Sequence, residues 1–155
     1  MGRAYVGLGS NLGDRSATLT RALGLLGERL GIDIVAVSSF RETDPVGYLD
    51  QPRFLNAVVA LETSLQPESL LVVLLDIERE LGRKREGPRY GPRTVDLDLL
   101  LVEGVTVDEP GLTVPHPRLH ERAFALAPLA ELDPSLVVPG HGPVAELLDR
   151  LESSP

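Results

Sequence analysis

The chain has 155 residues, a formal net charge of −8, 43% hydrophobic and 25% charged residues, and no cysteine. This length and composition suit one globular domain, which we expect to span residues 1–155. The lack of cysteine excludes disulfides, thiolate metal sites and cysteine nucleophiles, and it favours the cytoplasm. The acidic charge argues against general nucleic-acid binding, and no apolar run approaches the ~20 residues of a membrane helix.

Hydrophobic periodicity predicts six main elements, followed by a C-terminal appendage. The six are a strand at 3–9, a helix at 15–31 that stops at Gly31, strands at 32–43 and 53–64, a helix at 66–82 and a strand at 94–102. The order β-α-β-β-α-β is typical of a ferredoxin-like α+β sandwich, with two helices on one face of an antiparallel sheet. The appendage is predicted to contain a hairpin within 103–115 and helices at 122–132 and 143–152.

Two aspartates interrupt the apolar run of the last of these strands. Asp96 and Asp98 are two residues apart, so their carboxylates point to one face of the strand, ~6.7 Å apart along it. Two charges with oxygens ~5 Å apart repel by ~3 kcal/mol at an effective dielectric of ~20, which arginine or a divalent cation would offset. Magnesium prefers such hard oxygen ligands. An isolated Asp-x-Asp is more often simply the polar face of a strand.

A basic segment precedes the aspartates. Residues 83–93 hold five basic side chains and one acidic one. The cluster is either a solvated loop or a local site for an anionic ligand such as a polyphosphate. Metal and guanidinium groups together are the usual equipment of phosphoryl transfer, and the P-loop pattern is missing. Gly7 and Gly9 do not fit a dinucleotide fingerprint, and we interpret them as positions of close backbone packing or of ligand approach.

Other polar and aromatic residues break the apolar pattern. Asn56 lies in a row of apolar side chains on its strand, where it is either a structural amide or a partner for the edge of a heterocycle. Glu78 lies within or beside the apolar stripe of the second helix. Phe54 and Phe124 lie near these polar residues and either pack in the core or sandwich a flat ligand.

Three sequence blocks together resemble the 6-hydroxymethyl-7,8-dihydropterin pyrophosphokinase family of the folate pathway. They are DQPRFLNAVVALETSL at 50–65, RYGPRTVDLDLL at 89–100 and TVPHPRLHERAF at 113–124, in the family's order and spacing. The resemblance implies a ferredoxin-like fold and two magnesium ions. It also implies transfer of the β,γ-diphosphate of ATP to the hydroxymethyl group of the pterin, which leaves AMP.

The resemblance implies a role for each matching residue. Asp96 and Asp98 correspond to the metal ligands, with Arg83 and Arg93 as the cations near the transferred phosphates. The residues implied on the nucleotide side are Glu78, Arg85, Tyr90, Leu99, Thr113, His116 and Arg122. The residues implied around the pterin are Thr43, Val46, Phe54, Asn56 and Phe124. The segment 83–92 is expected to act as a lid over ATP.

Two other functions share the predicted fold. A nucleotide-sensing domain would bind Mg-ATP without turnover. An RNA-binding ferredoxin-like module would carry aromatic residues on its central strands and a basic surface, whereas this sheet carries Asp96 and Asp98. We therefore expect small-molecule partners, ATP and the pterin, with neither nucleic acid nor membrane, and a monomeric protein.

Overall fold

The computed structural model describes residues 2–44, 50–82 and 95–153. Its strands are β1 (Gly2–Ser10), β2 (Ile32–Val37), β3 (Arg41–Thr43), β4 (Phe54–Thr63), β5 (Asp96–Val102), β6 (Val107–Glu109), β7 (Leu112–Val114), β8 (Val137–Val138) and β9 (Gly142–Pro143). Its helices are α1 (Arg15–Gly27), α2 (Pro67–Glu80), α3 (Ala123–Leu132) and α4 (Val144–Ser153), with a short 3-10 helix at Leu119–Glu121.

The main sheet is antiparallel and has the strand order β2-β4-β1-β5, with β3 pairing to the first part of β4. This order, with α1 and α2 as the two crossovers, confirms the predicted ferredoxin-like sandwich. The central strand β1 pairs with β4 from Gly2 to Ser10 and with β5 from Ala4 to Gly9. The strands that carry Asn56 and the two aspartates are therefore neighbours of the same strand.

The two faces of the sheet are covered by different helices. One core packs α1 and α2 against alternate residues of β1 and β4, such as Val6 and Leu61. The appendage is not peripheral to the sheet, because α3, α4 and the short 3-10 helix pack against the opposite face through a second core. Leu126 and Leu129 are fully buried there, beside Tyr5 and Val58. The cavity described below opens on this second face.

Two element boundaries differ from the sequence-based prediction. The first helix ends at Gly27 rather than Gly31, and Gly31 instead forms the turn into β2 with a φ of 82°. The predicted strand at 32–43 is split into β2 and β3, because the Ser38 hydroxyl accepts the backbone N–H of Val58 at 2.9 Å. A side chain thus replaces a backbone partner at this point and lets the chain change direction.

The start of α1 and both ends of α2 show common helix-end residues. The Asp14 side chain accepts the N–H of Ala17 at 3.1 Å and caps α1. Pro67 occupies the first turn of α2, and Gly82 follows its end with a φ of 83°. Within the described ranges, no helix is both long and apolar enough to cross a membrane.

Candidate active site

A cavity of about 360 Å³ lies over β1, β4 and β5 on the second face of the sheet. Most of the sequence-predicted site residues that the structure describes meet in its wall. These are Thr43, Phe54, Asn56, Glu78, Asp96, Asp98, His116, Arg122 and Phe124. The sheet supplies one side of the cavity, and the segment that leads into α3 supplies the other.

The floor of the cavity is formed by two glycines of the central strand. Gly9 lies between Asn56 on β4 and Asp96 on β5, and Gly7 lies between Val58 and Asp98. Residues that are paired across an antiparallel sheet project to the same face. Because β1 contributes no side chain at these positions, a trough runs over β1 between β4 and β5, and the Asn56 amide extends into it over Gly9.

Strand β5, which carries Asp96 and Asp98, is held in place by a buried carboxylate. Glu78 of α2 is 2% exposed, and its Oε2 accepts the backbone N–H of Leu97 at 2.8 Å. Leu97 lies between Asp96 and Asp98, so this bond fixes the backbone between them. Helical spacing alone does not show whether Glu78 is buried within the apolar stripe of α2 or lies exposed at its edge.

The donor set on β5 fits a magnesium ion that is shared with a substrate. Asp96 and Asp98 both line the cavity and offer carboxylate oxygens on one face. In the part of the chain that is described, no group of three or more His, Asp or Glu side chains is placed to hold a metal ion. Magnesium commonly takes one or two carboxylates and completes its shell with phosphate oxygens and water.

The opposite end of the trough presents an amide and two aromatic rings. The Asn56 Nδ2 donates a hydrogen bond to the Thr43 hydroxyl of the neighbouring strand β3. Phe54 comes from the start of β4 and Phe124 from the first turn of α3, and both line the cavity. This end therefore combines polar contacts with apolar surface, as a flat heterocycle requires.

Glu131 of α3 ties the appendage to the strand that carries Thr43. Its Oε2 accepts the Ser39 N–H at 2.7 Å, and its Oε1 accepts the Ser39 hydroxyl at 2.7 Å and the Arg41 guanidinium at 2.8 Å. The hydrogen bonds from Ser39, assisted by Arg41, lower the pKa of the Glu131 carboxyl against the opposing effect of burial. The carboxylate thus stays charged and holds β3 beside the cavity.

His116 enters the cavity as a neutral hydrogen-bond donor. Its backbone N–H donates to the Leu100 carbonyl at 2.8 Å, which joins this segment to the end of β5. Its Nδ1 accepts the Arg118 N–H at 3.2 Å, so the ring proton of the neutral form is on Nε2. Burial, assisted by Arg122 and Arg118 and opposed by Asp96, lowers the pKa of His116 to about 4.

The low pKa of His116 predicts a pH-dependent loss of stability. Its ordinary value is 6.5 and its folded value is about 4, so between these the unfolded chain binds the proton more readily. We therefore expect no loss of the free energy of unfolding from His116 above pH 6.5, and a growing loss as the pH falls towards 4. After allowance for solvent screening the loss is on the order of 1 kcal/mol.

Urea unfolding of the wild type and of His116→Gln at several pH values, without ligands, measures this effect. The difference in free energy of unfolding between the two proteins should shift in favour of the variant as the pH falls. Stability curves that stay parallel from pH 7 to 4 would contradict the assignment of this pH dependence to His116.

Two arginines accompany His116. The Arg122 guanidinium carbon lies 5.6 Å from the centre of the Phe124 ring, a cation–π distance that links the polar and aromatic parts of the wall. Arg118 also lines the cavity and forms an ion pair with Glu121, with 3.2 Å between Nε and Oε2. Sequence reasoning missed Arg118, because it lies in the turn that follows His116 and not in an element with a periodic pattern.

Some sequence-predicted residues are not brought to the cavity or lie outside the described residues. Leu99 is 6% exposed and belongs to the first core, on the face away from the cavity. Thr113 is exposed on β7 and does not line the cavity. The remaining five lie outside the described residues: Val46, Arg83, Arg85, Tyr90 and Arg93.

Comparison with known proteins identifies relatives that span most of the chain. A protein from Bacillus subtilis named 2-amino-4-hydroxy-6-hydroxymethyldihydropteridine pyrophosphokinase is 53% identical over 129 residues, which cover 83% of this chain and 77% of the relative. A protein of the same name from Methylorubrum extorquens is 49% identical over 154 residues, covering 99% of this chain and 96% of that protein.

Solved structures share the fold at low sequence identity. The Plasmodium falciparum HPPK-DHPS wild type with pteroate has a TM-score of 0.75 and 15% identity to this chain. The match covers 96% of this chain and 42% of that one, so the chain spans less than half of the solved protein. The model of the 7,8-dihydro-6-hydroxymethylpterin-pyrophosphokinase (HPPK) family matches residues 5–134. With this match and the two close relatives, the chain belongs to that family.

Proposed function

We propose that the protein transfers the β,γ-diphosphate of ATP to the hydroxymethyl group of 6-hydroxymethyl-7,8-dihydropterin in folate biosynthesis. The hydroxyl oxygen bonds to the β-phosphorus, the bond from that phosphorus to the α,β-bridging oxygen breaks, and AMP leaves. The hydroxyl proton passes to solvent. The observation that carries the proposal is the trough over Gly7 and Gly9, which places an amide and aromatic end opposite a pair of carboxylates.

The carboxylate end is proposed to bind magnesium together with the triphosphate. Asp96 and Asp98 would hold two ions, which supply charge neutralisation to the phosphate oxygens when bound. Glu78 keeps the strand between them in place through the Leu97 N–H. We assign Arg83 and Arg93 to the charge that develops on the transferred phosphates, on the strength of the family resemblance.

The nucleotide is proposed to lie along the wall formed by the segment that leads into α3. His116 offers a neutral Nε2–H donor there, and Arg122 offers a guanidinium whose position is supported by the Phe124 ring. Glu78 borders the same wall from α2. For Arg85, Tyr90, Leu99 and Thr113 a nucleotide role stays a prediction from the family resemblance.

The pterin is proposed to bind at the other end of the trough. Asn56 and Thr43 offer amide and hydroxyl groups to the edge of the ring, while Phe54 and Phe124 offer aromatic faces. Aromatic pairs of this kind contribute about 0.5–1.5 kcal/mol beyond the area they bury. Val46 is proposed to complete this pocket, as the family resemblance implies.

We further propose that residues 1–155 act as one domain and as a monomer in the cytoplasm. Two cores share one sheet, which supports one domain. The use of ATP and the lack of cysteine fit a reducing cytoplasm.

Identification of the nucleotide product tests the proposed reaction. The purified protein is mixed with Mg-ATP and 6-hydroxymethyl-7,8-dihydropterin, and the products are separated by ion-exchange chromatography. We expect AMP and the pterin diphosphate in equal amounts, and no AMP when the pterin is omitted. ADP as the product would contradict diphosphate transfer, and ATP binding without turnover would support the nucleotide-sensing alternative.

A further inference from the structure

Gly9 is enclosed by the residues of the proposed pterin subsite. It is buried on β1, in register with Asn56 on one side and Asp96 on the other. A Cβ atom at this position would lie 2.7 Å from the Asn56 Oδ1 and 3.7 Å from the Phe54 ring. Cβ atoms do not approach other heavy atoms below about 3.0 Å without displacing them.

The requirement at Gly9 is for space rather than for an unusual backbone conformation. Its φ is not among the positive values that are found at glycines such as Gly13 and Gly31. The position is a regular member of β1, where other residues carry side chains. A glycine within a strand weakens the strand and often marks a close approach of another group, here the Asn56 amide.

The Asn56 amide is held on one side by a hydrogen bond and lies close to Gly9 on the other. Its Nδ2 donates to the Thr43 hydroxyl, while its Oδ1 lies over Gly9. A methyl group on Gly9 would push the amide off this hydrogen bond. Gly7 differs, because a Cβ there would meet the side-chain end of Leu100 at 3.3 Å, and a flexible apolar group can shift by a few tenths of an ångström.

We infer that Gly9 is a positioning residue for pterin binding: its lack of a side chain lets the Asn56 amide lie across β1 with its polar atoms at the cavity. The inference rests on the proposed function, because that function assigns Asn56 to the edge of the pterin. The sequence left two interpretations of Gly9 open, close packing or ligand approach. Gly9 is then explained by close packing against the Asn56 side chain.

The first experiment measures the two substrates separately. Dissociation constants are determined for 6-hydroxymethyl-7,8-dihydropterin and for the magnesium complex of α,β-methylene-ATP in the wild type and in Gly9→Ala. We expect the pterin constant to rise about tenfold or more, as for the loss of a buried hydrogen bond, while the nucleotide constant changes less than about twofold. Gly24→Ala adds the same methyl group on α1, where nothing lies within 4 Å, and should change neither constant.

The second experiment asks whether Gly9 acts through Asn56. In the Asn56→Ala background, Gly9→Ala should raise the pterin constant by less than about twofold more, because the displaced amide is already gone. Gly9→Ala is also expected to lower the melting temperature, because the added methyl group clashes with Asn56. The double variant should regain this loss, so the coupling is measurable even if the single variant unfolds.

The outcomes separate this inference from the proposed function. Unchanged pterin binding in Gly9→Ala, or a full additional loss in the Asn56→Ala background, overturns the inference while the proposed function stands. A double variant that melts as low as Gly9→Ala also overturns it. A wild-type protein that binds the nucleotide analogue but no pterin contradicts the proposed function itself.

Discussion

Asp98→Asn is expected to lower kcat for AMP formation by about 10²–10³. The substitution keeps the size of the side chain and removes one of the two carboxylate charges that face the cavity from β5. With one charge fewer, the strand offers a divalent cation a weaker site, and the charge on the phosphate oxygens is less well neutralised. AMP release under saturating Mg-ATP and pterin measures the effect.

Asp108→Asn is the matched control for this prediction. Asp108 is exposed on β6 and does not line the cavity, so the same chemical change should leave kcat within about twofold. Manganese binding in the presence of the nucleotide analogue, followed by electron paramagnetic resonance, provides a second measurement. Full activity and unchanged manganese binding in Asp98→Asn would refute the assignment of Asp98 as a metal ligand.

Leu126→Ala is expected to lower the free energy of unfolding by about 2–5 kcal/mol. Leu126 is 0% exposed in the core that joins α3 to the sheet. The loss combines the removed apolar contact with the void that remains, because a packed core relaxes only partly. Urea unfolding followed by circular dichroism measures it.

Leu30→Ala makes the same chemical change at a site that is 94% exposed, and should alter the free energy of unfolding by less than about 0.5 kcal/mol. The comparison tests whether α3 belongs to the cooperative unit of the sheet. Equal effects of the two substitutions would show that the second core contributes no more than the surface does.

The sequence predicted the order of elements because each main segment has a strong period and clear end signals. It could not predict which surface the C-terminal helices cover, since an apolar stripe reveals that a helix is buried but not against what. The split at Ser38 was missed because it depends on a hydrogen bond to Val58, twenty residues away.

The candidate site was predictable to the extent that family blocks carry it, as for Asp96, Asp98 and Asn56. Positions that depend on the packing of separate segments were not predictable from the sequence. Gly9 had two open interpretations, because its neighbour Asn56 is distant in sequence and close only through the pairing of β1 with β4. Arg118 reaches the cavity wall through the turn that follows His116, which no periodic pattern describes.

Strands β5 and β2 lie on opposite edges of the main sheet and differ in how readily another polypeptide could pair with them. On β5, Glu78 accepts the Leu97 N–H and the His116 N–H donates to the Leu100 carbonyl, so these edge groups are already satisfied. On β2, Ile34 and Val35 are 37% and 46% exposed. Edge strands invite pairing with foreign chains unless they are covered. We therefore expect strand addition at β2 rather than at these groups of β5, on the edge of the sheet away from Asp96 and Asp98.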